Sequence, residues 1–187
     1  MIACLPKTLN IQGKDYRIKS DYRVALLIFE IINDKDLSEN TKFNLILDAL
    51  YVDKPKLKDV EEALNQATWF LNGGKEIKLN DTNKQKLMDW NQDEQIIFSA
   101  INKVANKEVR AEEYLHWWTF LGYFNEIQDG LFSTIISIRK KLTDKSKKLE
   151  PYEKEFYENN KDLVDLKQKH TQEELDEIQA CLEILNG

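Results

Sequence analysis

The residue with the best claim to chemistry is His116, in the run A-E-E-Y-L-H-W-W-T-F (111–120). Glu112 stands four residues before it, and on a helix residues four apart share a face, so a carboxylate–imidazole pair is within geometric reach. Such a pair is half of an acid–base site and still needs a nucleophile or a substrate proton to act on. No G-x-S-x-G turn occurs, and the two cysteines, Cys4 and Cys181, lie near opposite ends with no favoured neighbour. His116 therefore reads as a packed histidine with one ring nitrogen satisfied locally. His170, in a lysine-rich polar stretch, reads as solvated, and two distant histidines with scattered acids do not make a zinc site. The carboxylates Glu173, Glu174, Asp176 and Glu177 could draw a divalent cation, but they fall where a helix N-terminus already favours negative charge. Neither a P-loop nor a glycine-rich dinucleotide turn is present. The expectation is a non-enzyme with no cofactor and no metal.

The run Arg139–Lys148, R-K-K-L-T-D-K-S-K-K, holds six cations and one acid and could grip phosphates. The stretch 150–177 holds ten acids against four bases, so the run is expected to pair within its own chain. With a formal net charge of −6 and a pI near 5.1, general nucleic-acid binding is not expected, because a phosphate backbone rewards positive charge.

These residues must be held by something, and 187 residues with 42% hydrophobic content are enough for one domain with a real core. The opening MIACLPKTLNIQ has neither a basic n-region nor a long apolar run, and no stretch approaches the ~18 apolar residues that span a bilayer. The expected setting is soluble and intracellular, away from membranes, with two cysteines that suit a reducing compartment.

Only six glycines and three prolines interrupt the chain, and apolar residues recur mostly at three- and four-residue intervals, so the fold is expected to be mainly α. The first element differs. In T-L-N-I-Q-G-K-D-Y-R-I-K (8–19), Leu9 and Ile11 alternate before a Gly13-Lys14 turn and Tyr16 and Ile18 after it, which predicts a short β-hairpin. Helices are expected at 20–33 (Val24, Leu27, Ile28, Ile31 and Ile32 inward) and at 38–51 under a Ser38 cap (Phe43, Ile46, Leu47 and Leu50 inward). A third, at 57–72, carries Leu57, Val60, Leu64, Ala67 and Leu71, and Gly73-Gly74 ends it. The polar stretch 75–86 reads as a linker between an N-terminal lobe, 1–74, and a C-terminal helical lobe, 87–187. That second lobe should hold helices at 92–105 (Ile96, Ile97, Ala100, Ile101 and Val104), 110–127 and 131–142 (Leu131, Ile135, Ile138 and Leu142). Another should open at Pro151 and reach 169, and a last one starts from the capping box Thr171–Glu174 with Leu175, Ile178, Leu182 and Leu185 in line.

The aromatic run decides the function class. As a helix, 110–127 sets Tyr114, Trp117, Trp118, Leu121 and Phe124 on one wide face, and Leu115, Phe120, Tyr123 and Ile127 fill most of the rest. A helix apolar nearly all round has to be enclosed. Each ring takes about 150–250 Å² from water, and leaving several exposed would create a patch that monomers avoid. Most of these rings are therefore expected in the core, with one edge left for association through Tyr123, Phe124, Lys140 and Lys141.

The order D-W-N-Q-D (89–93), I-I-F-S-A (96–100), L-H-W-W-T-F (115–120), I-I-S-I-R (135–139) and K-K-L-E-P-Y-E-K-E-F-Y (147–157) resembles the bacteriophage "gene product fifteen" family of tailed phages and prophages. The resemblance spans roughly 85–165. It implies that Trp90, Asp93, Leu115, His116, Trp117, Trp118, Phe120, Ile135, Ile138 and Arg139 form a packing signature, within which Asp93 and Arg139 are expected to pair. It also implies a role in tail morphogenesis, as a non-enzymatic assembly chaperone that covers the tape-measure or tail-tube protein in the host cytoplasm, as a monomer or a homo-oligomer. The alternative is a structural virion component such as a connector or tail-completion adaptor.

Overall fold

The computed structural model describes residues 4–76, 86–144 and 146–167. Among them are eight α-helices and one two-stranded antiparallel sheet, so the fold is mainly α. The expected helix from Thr171, together with His170 and Cys181, lies outside the described residues.

Strands β1 (Thr8–Ile11) and β2 (Lys14–Arg17) pair with Ile11 opposite Lys14. The turn is therefore Gln12-Gly13, one residue earlier than the spacing suggested. Both residues take positive φ (49° and 77°), the conformation that matches a two-residue hairpin to the strand twist. Gln12 is held in that conformation by Glu62, whose carboxylate accepts from both its backbone and its side-chain N–H. Alternation buries Leu9, Ile11, Tyr16 and Ile18 as expected.

Helix α1 (Tyr22–Asn33) starts under Asp21, whose carboxylate accepts from Arg23 N, and α2 (Glu39–Leu50) starts under Ser38, which accepts from Thr41 N. The helix expected at 57–72 divides into a 3-10 turn at Leu57–Asp59 and α3 (Val60–Leu71). Helix α4 (Glu94–Ala105) stops at Asn106, which adopts the left-handed conformation at φ 53°.

The aromatic helix is shorter than its periodicity predicts. Residues 110–116 run as a 3-10 turn (Val109–Ala111) and an extended segment, and α5 spans only Trp117–Asn125. Glu112 is thus off the helix, and Tyr114, 48% exposed, points its hydroxyl at Ser20 Oγ (2.8 Å). After α6 (Leu131–Thr143), the helix expected to reach 169 breaks at Asn160 into α7 (Pro151–Asn159) and α8 (Lys161–Val164).

One contiguous core runs from the hairpin to α6, with Leu9, Ile28, Leu47, Phe70, Ile97, Trp117, Phe120 and Phe132 among its members. A small second cluster joins Ile135 and Ile138 to Val164. The expected partition into lobes 1–74 and 87–187 therefore does not follow the packing: residues on both sides of the 75–86 stretch share one core, although 77–85 themselves lie outside the described residues. Several helices are also turned relative to their strongest apolar stripe. Leu27, Ile32, Phe43, Leu57, Val104, Leu131 and Leu142 face outward, while Tyr22, Ala25, Ala63, Phe70 and Phe98 face in.

Candidate functional site

The paired tryptophans sit where three chain segments meet. Backbone bonds from Tyr22 N to Leu115 O (2.9 Å) and from Trp117 N to Ser20 O (2.8 Å) form an antiparallel bridge between Asp21 and His116. Two helices, α1 and α5, begin at this bridge, and its two central residues are their caps. Asp21 reaches across it as well, accepting from Leu115 N through Oδ2 (3.0 Å) and from Arg23 N through Oδ1 (3.0 Å). Arg23 closes the edge with bonds to the carbonyls of Arg110 and Glu112.

His116 is 2% exposed and both ring nitrogens are engaged. Nδ1 accepts from Trp118 N (3.0 Å), which satisfies one of the orphan donors at the start of α5. The proton must then sit on Nε2, which donates to Pro6 O (2.9 Å). Burial pushes the imidazole pKa below its ordinary value; the Pro6 carbonyl opposes that shift and Lys7 adds to it. Neither nitrogen is offered to a substrate in this arrangement. The pairing with Glu112 does not form; Glu112 instead meets Lys107 (3.2 Å).

Both indoles reach the end of α3. Trp117 Nε1 donates to Leu71 O (2.9 Å) and Trp118 Nε1 to Phe70 O (2.8 Å), satisfying carbonyls in the helix's last turn. Gly73 and Gly74 follow at φ 66° and 83°. A Cβ on Gly74 would come within 2.8 Å of Trp118 Cη2, and one on Gly73 within 2.9 Å of Leu121 Cδ2. The glycine pair thus ends α3 and also lets α5 approach it. Around this junction Phe120 stacks on Tyr22 (centroids 4.5 Å apart, planes 3° from parallel), and Trp90 contacts Phe29, Trp117, Phe120 and Phe124.

The second polar centre is Arg139, 4% exposed. Its guanidinium binds Asp93 through both nitrogens (NH1–Oδ2 2.6 Å, NH2–Oδ1 2.9 Å). Nε donates to Val164 O (2.6 Å), NH1 also to Leu87 O (3.0 Å), and NH2 also to Leu163 O (2.9 Å). All five donors of the fork have acceptors. The expected ion pair is present, and the same group holds the segment before α4 and the end of α8. By drawing off the Leu163 and Val164 carbonyls it also explains why α8 ends there. Gln92 clamps the next residues, giving Nε2–H to Asp165 O (2.7 Å) and accepting from Lys167 N (2.9 Å).

The signature residues therefore fall into place as packing. Asp93, Leu115, His116, Trp117, Phe120, Ile135, Ile138 and Arg139 are buried, and Trp90 and Trp118 are half-buried against the core. The residues expected to meet a partner are mostly engaged. Phe124 packs on Trp90 and Phe132, Tyr123 lies against the core, and Lys141 Nζ is bound by both oxygens of the buried Glu153 (2.7 and 2.6 Å). That bond holds Glu153's carboxyl below its usual range. Lys140 remains exposed. Within the basic run, Lys147 also pairs with Asp144.

Sequence reasoning missed Asp21, Arg23 and Gln92. A capping signal marks Asp21, but its bond to Leu115 joins positions 94 apart, and Gln92 stands in the D-W-N-Q-D run with nothing local that points to Asp165 or Lys167. Among the described residues, no three His, Cys, Asp or Glu side chains converge in a way that could hold a metal, and no helix is long and apolar enough to cross a membrane.

One surface feature remains open. Three depressions of about 540, 570 and 340 Å³ adjoin along α1: the first two share Asn33 and Lys35, and the second and third share Leu27, Glu30 and Asn91. Together they form a furrow from Arg110 and Phe98 to Leu142 and Val164, with Leu26, Leu27, Ile31 and Trp90 on its walls and mixed charges along its rims.

The buried polar groups Asp93, His116 and Arg139, with Asp21 beside them, are engaged in joining segments of the chain's own helical fold. The chain belongs to the Bacteriophage Gp15 protein family, whose sequence model matches residues 1–166. The match reaches well beyond the 85–165 stretch that carries the motif and takes in the hairpin and α1–α3. No curated protein and no solved structure matches the chain.

Proposed function

We propose that this phage protein works without catalysis in tail morphogenesis, as an assembly chaperone that shields an apolar helical segment of the tape-measure or tail-tube protein. Family membership supplies the phage context. The observation that carries the finer reading is the furrow beside α1. It follows a helix of 12 residues, a length of about 18 Å at 1.5 Å per residue, which suits a partner helix of some three turns lying alongside. Leu27, 48% exposed, stands in it as an apolar anchor, flanked by Glu30 and Asn91. The engagement of both His116 nitrogens leaves that imidazole without a ring nitrogen to offer a substrate and agrees with a non-catalytic role.

The test is co-expression with the tape-measure protein of the same phage. The expected result is a soluble complex that co-purifies, and loss of that complex on Leu27→Asp while the far-UV CD spectrum is unchanged. Recovery of the protein in fixed stoichiometry from purified particles would instead make it a virion component and overturn the chaperone reading.

A further inference from the structure

The loop after α2 carries the most exposed large apolar side chain among the described residues. Leu57 is 93% exposed, within K-P-K-L-K (54–58), which holds three lysines and no acid. The loop that presents it is fixed. Val52 N donates to Arg17 O (3.0 Å), the buried Tyr51 donates its hydroxyl to Ala63 O (2.8 Å), and Pro55 is buried. The turn closes with Asp59 N donating to Lys56 O (2.8 Å). Lys54 pairs with Asp48 (2.7 Å), whereas Lys56 and Lys58 are exposed and make no ion pair among the described residues. A leucine held in water on a stiff basic loop adds nothing to the core of its own chain.

The opposite end of α2 carries the converse surface. The depression of about 570 Å³ beside the end of α1 is lined by apolar Leu27, Ile31 and Leu37, and sets Glu30, Asp34 and Asp36 against the single cation Lys35. Asp34 Oδ1 accepts from Asp36 N (2.9 Å), which shapes the loop between α1 and α2. The Glu30 and Asp36 carboxylates make no ion pair among the described residues. The 12 residues of α2 put about 18 Å between the basic loop and this depression, so the loop cannot fill the depression of its own chain.

We infer that Leu57 of one copy docks into this depression on a second copy, with Lys56 and Lys58 meeting Glu30 and Asp36. The occupant follows from the match of the two surfaces: an apolar side chain for an apolar lining, and cations for carboxylates. The fixed loop is already in shape to dock, so little ordering is needed on contact. Because the two surfaces differ, the contact runs head to tail. Each pair then keeps one unused loop and one unused depression, and association continues into a ring or an open chain. The exposed charges set the register and are screened by salt. Docking also covers Leu27, the side chain proposed above as the anchor for the tail partner. Self-association would then keep that apolar surface from water until the partner competes for it.

Sedimentation velocity on the full chain, with no tail protein present, tests this. The average sedimentation coefficient of the natural chain is expected to rise with protein concentration and to fall with added salt. Leu57→Asp, and separately Glu30→Lys with Asp36→Lys, should each weaken association on the order of ten-fold or more. All three positions are exposed, so the far-UV CD spectra should not change. Each variant retains the surface that the other has lost. An equimolar mixture of the two is therefore expected to form a dimer and nothing larger. A natural chain that stays monomeric at every concentration overturns the inference, as do variants that associate as the natural chain does. A mixture that stays monomeric also overturns it, because association would then use one surface twice. Tail-partner binding plays no part in this readout, so its failure leaves the chaperone reading standing.

Discussion

Arg139 presents five N–H donors to five oxygens, and removing it strands a buried carboxylate and three carbonyls together. Breaking a buried pair from one side costs about 3–5 kcal/mol, mostly because the remaining charge is left uncompensated. Arg139→Met is therefore expected to lower the urea midpoint by that order of stability. Arg139→Lys should recover only part of it, since an ammonium cannot make the forked contact. Adding Asp93→Leu to Arg139→Met removes the stranded charge and should restore stability relative to the single variant; a double variant no better than Arg139→Met would show that the carboxylate is not what the arginine serves. His116 makes a different prediction, in pH. Its folded pKa lies below its unfolded value, so the unfolded chain takes up the proton first. Stability is then full above about pH 6.5, the ordinary histidine value, and falls as pH drops below it, by at most about 1.4 kcal/mol per unit. Protonation of Nδ1 also removes the acceptor that Trp118 N–H uses. His116→Asn keeps a capping side chain without the titration, so its stability, measured by denaturation between pH 7 and 5, is expected to show a shallower slope than the natural chain.

At the level of elements, the joint between α3 and α5 rests on two glycines without side chains and two indoles with donors. Gly74→Ala would place a methyl at 2.8 Å from the Trp118 ring on a backbone at φ 83°. The strain of a non-glycine residue there is about 1–3 kcal/mol, before the ring is displaced. Trp118→Phe keeps most of the contact but removes the indole donor from Phe70 O, which still accepts from Gly73 N, for a loss of about 0.5–1.5 kcal/mol. Thermal melts of both variants are expected to shift down, and the indole fluorescence of Gly74→Ala to move to longer wavelength as Trp118 is pushed outward. These elements also show what a sequence can and cannot disclose. Ser38, Pro151 and the glycine pair are local signals, and each marks a real boundary. Apolar spacing located seven of the helices and the centre of most inward faces, with Ile28, Leu47, Leu50, Ile97, Ile101, Ile135 and Ile138 buried as expected, but misjudged the edges of those faces. Leu27, Ile32 and Phe43 look inward by period alone, yet Ala25 and Ala63, which the period did not single out, are the residues small enough for helices to meet over. The start of α5 was illegible for a different reason. His116 caps it with help from Pro6, 110 residues away, and the backbone before it is claimed by Ser20 and Tyr22. The Asp93–Arg139 pair was legible as charge in a motif; the three carbonyls that share the arginine were not.

Across the whole molecule, the question is whether the polar stretch near 75–86 separates two units that unfold independently. The packing argues against it. Phe120, fully buried on α5, stacks on Tyr22 at the start of α1 and touches Phe98 of α4, while the neighbouring indoles bind the end of α3. Removing such a ring from a core costs about 3–5 kcal/mol through lost burial and the cavity left behind. If the chain were two lobes, Phe120→Ala would weaken only the second. With a shared core the cost falls on the single equilibrium that both halves obey, so amides in β1, α2 and α3 should lose hydrogen-exchange protection along with those in α5, by similar free energies. Urea unfolding followed by far-UV CD and by tryptophan fluorescence should likewise give coincident transitions in both the natural chain and the variant. A variant in which α2 and α3 keep their protection while α5 exchanges freely would restore the two-lobe description. It would also mean that the tryptophan joint is an interface between units and not the centre of one.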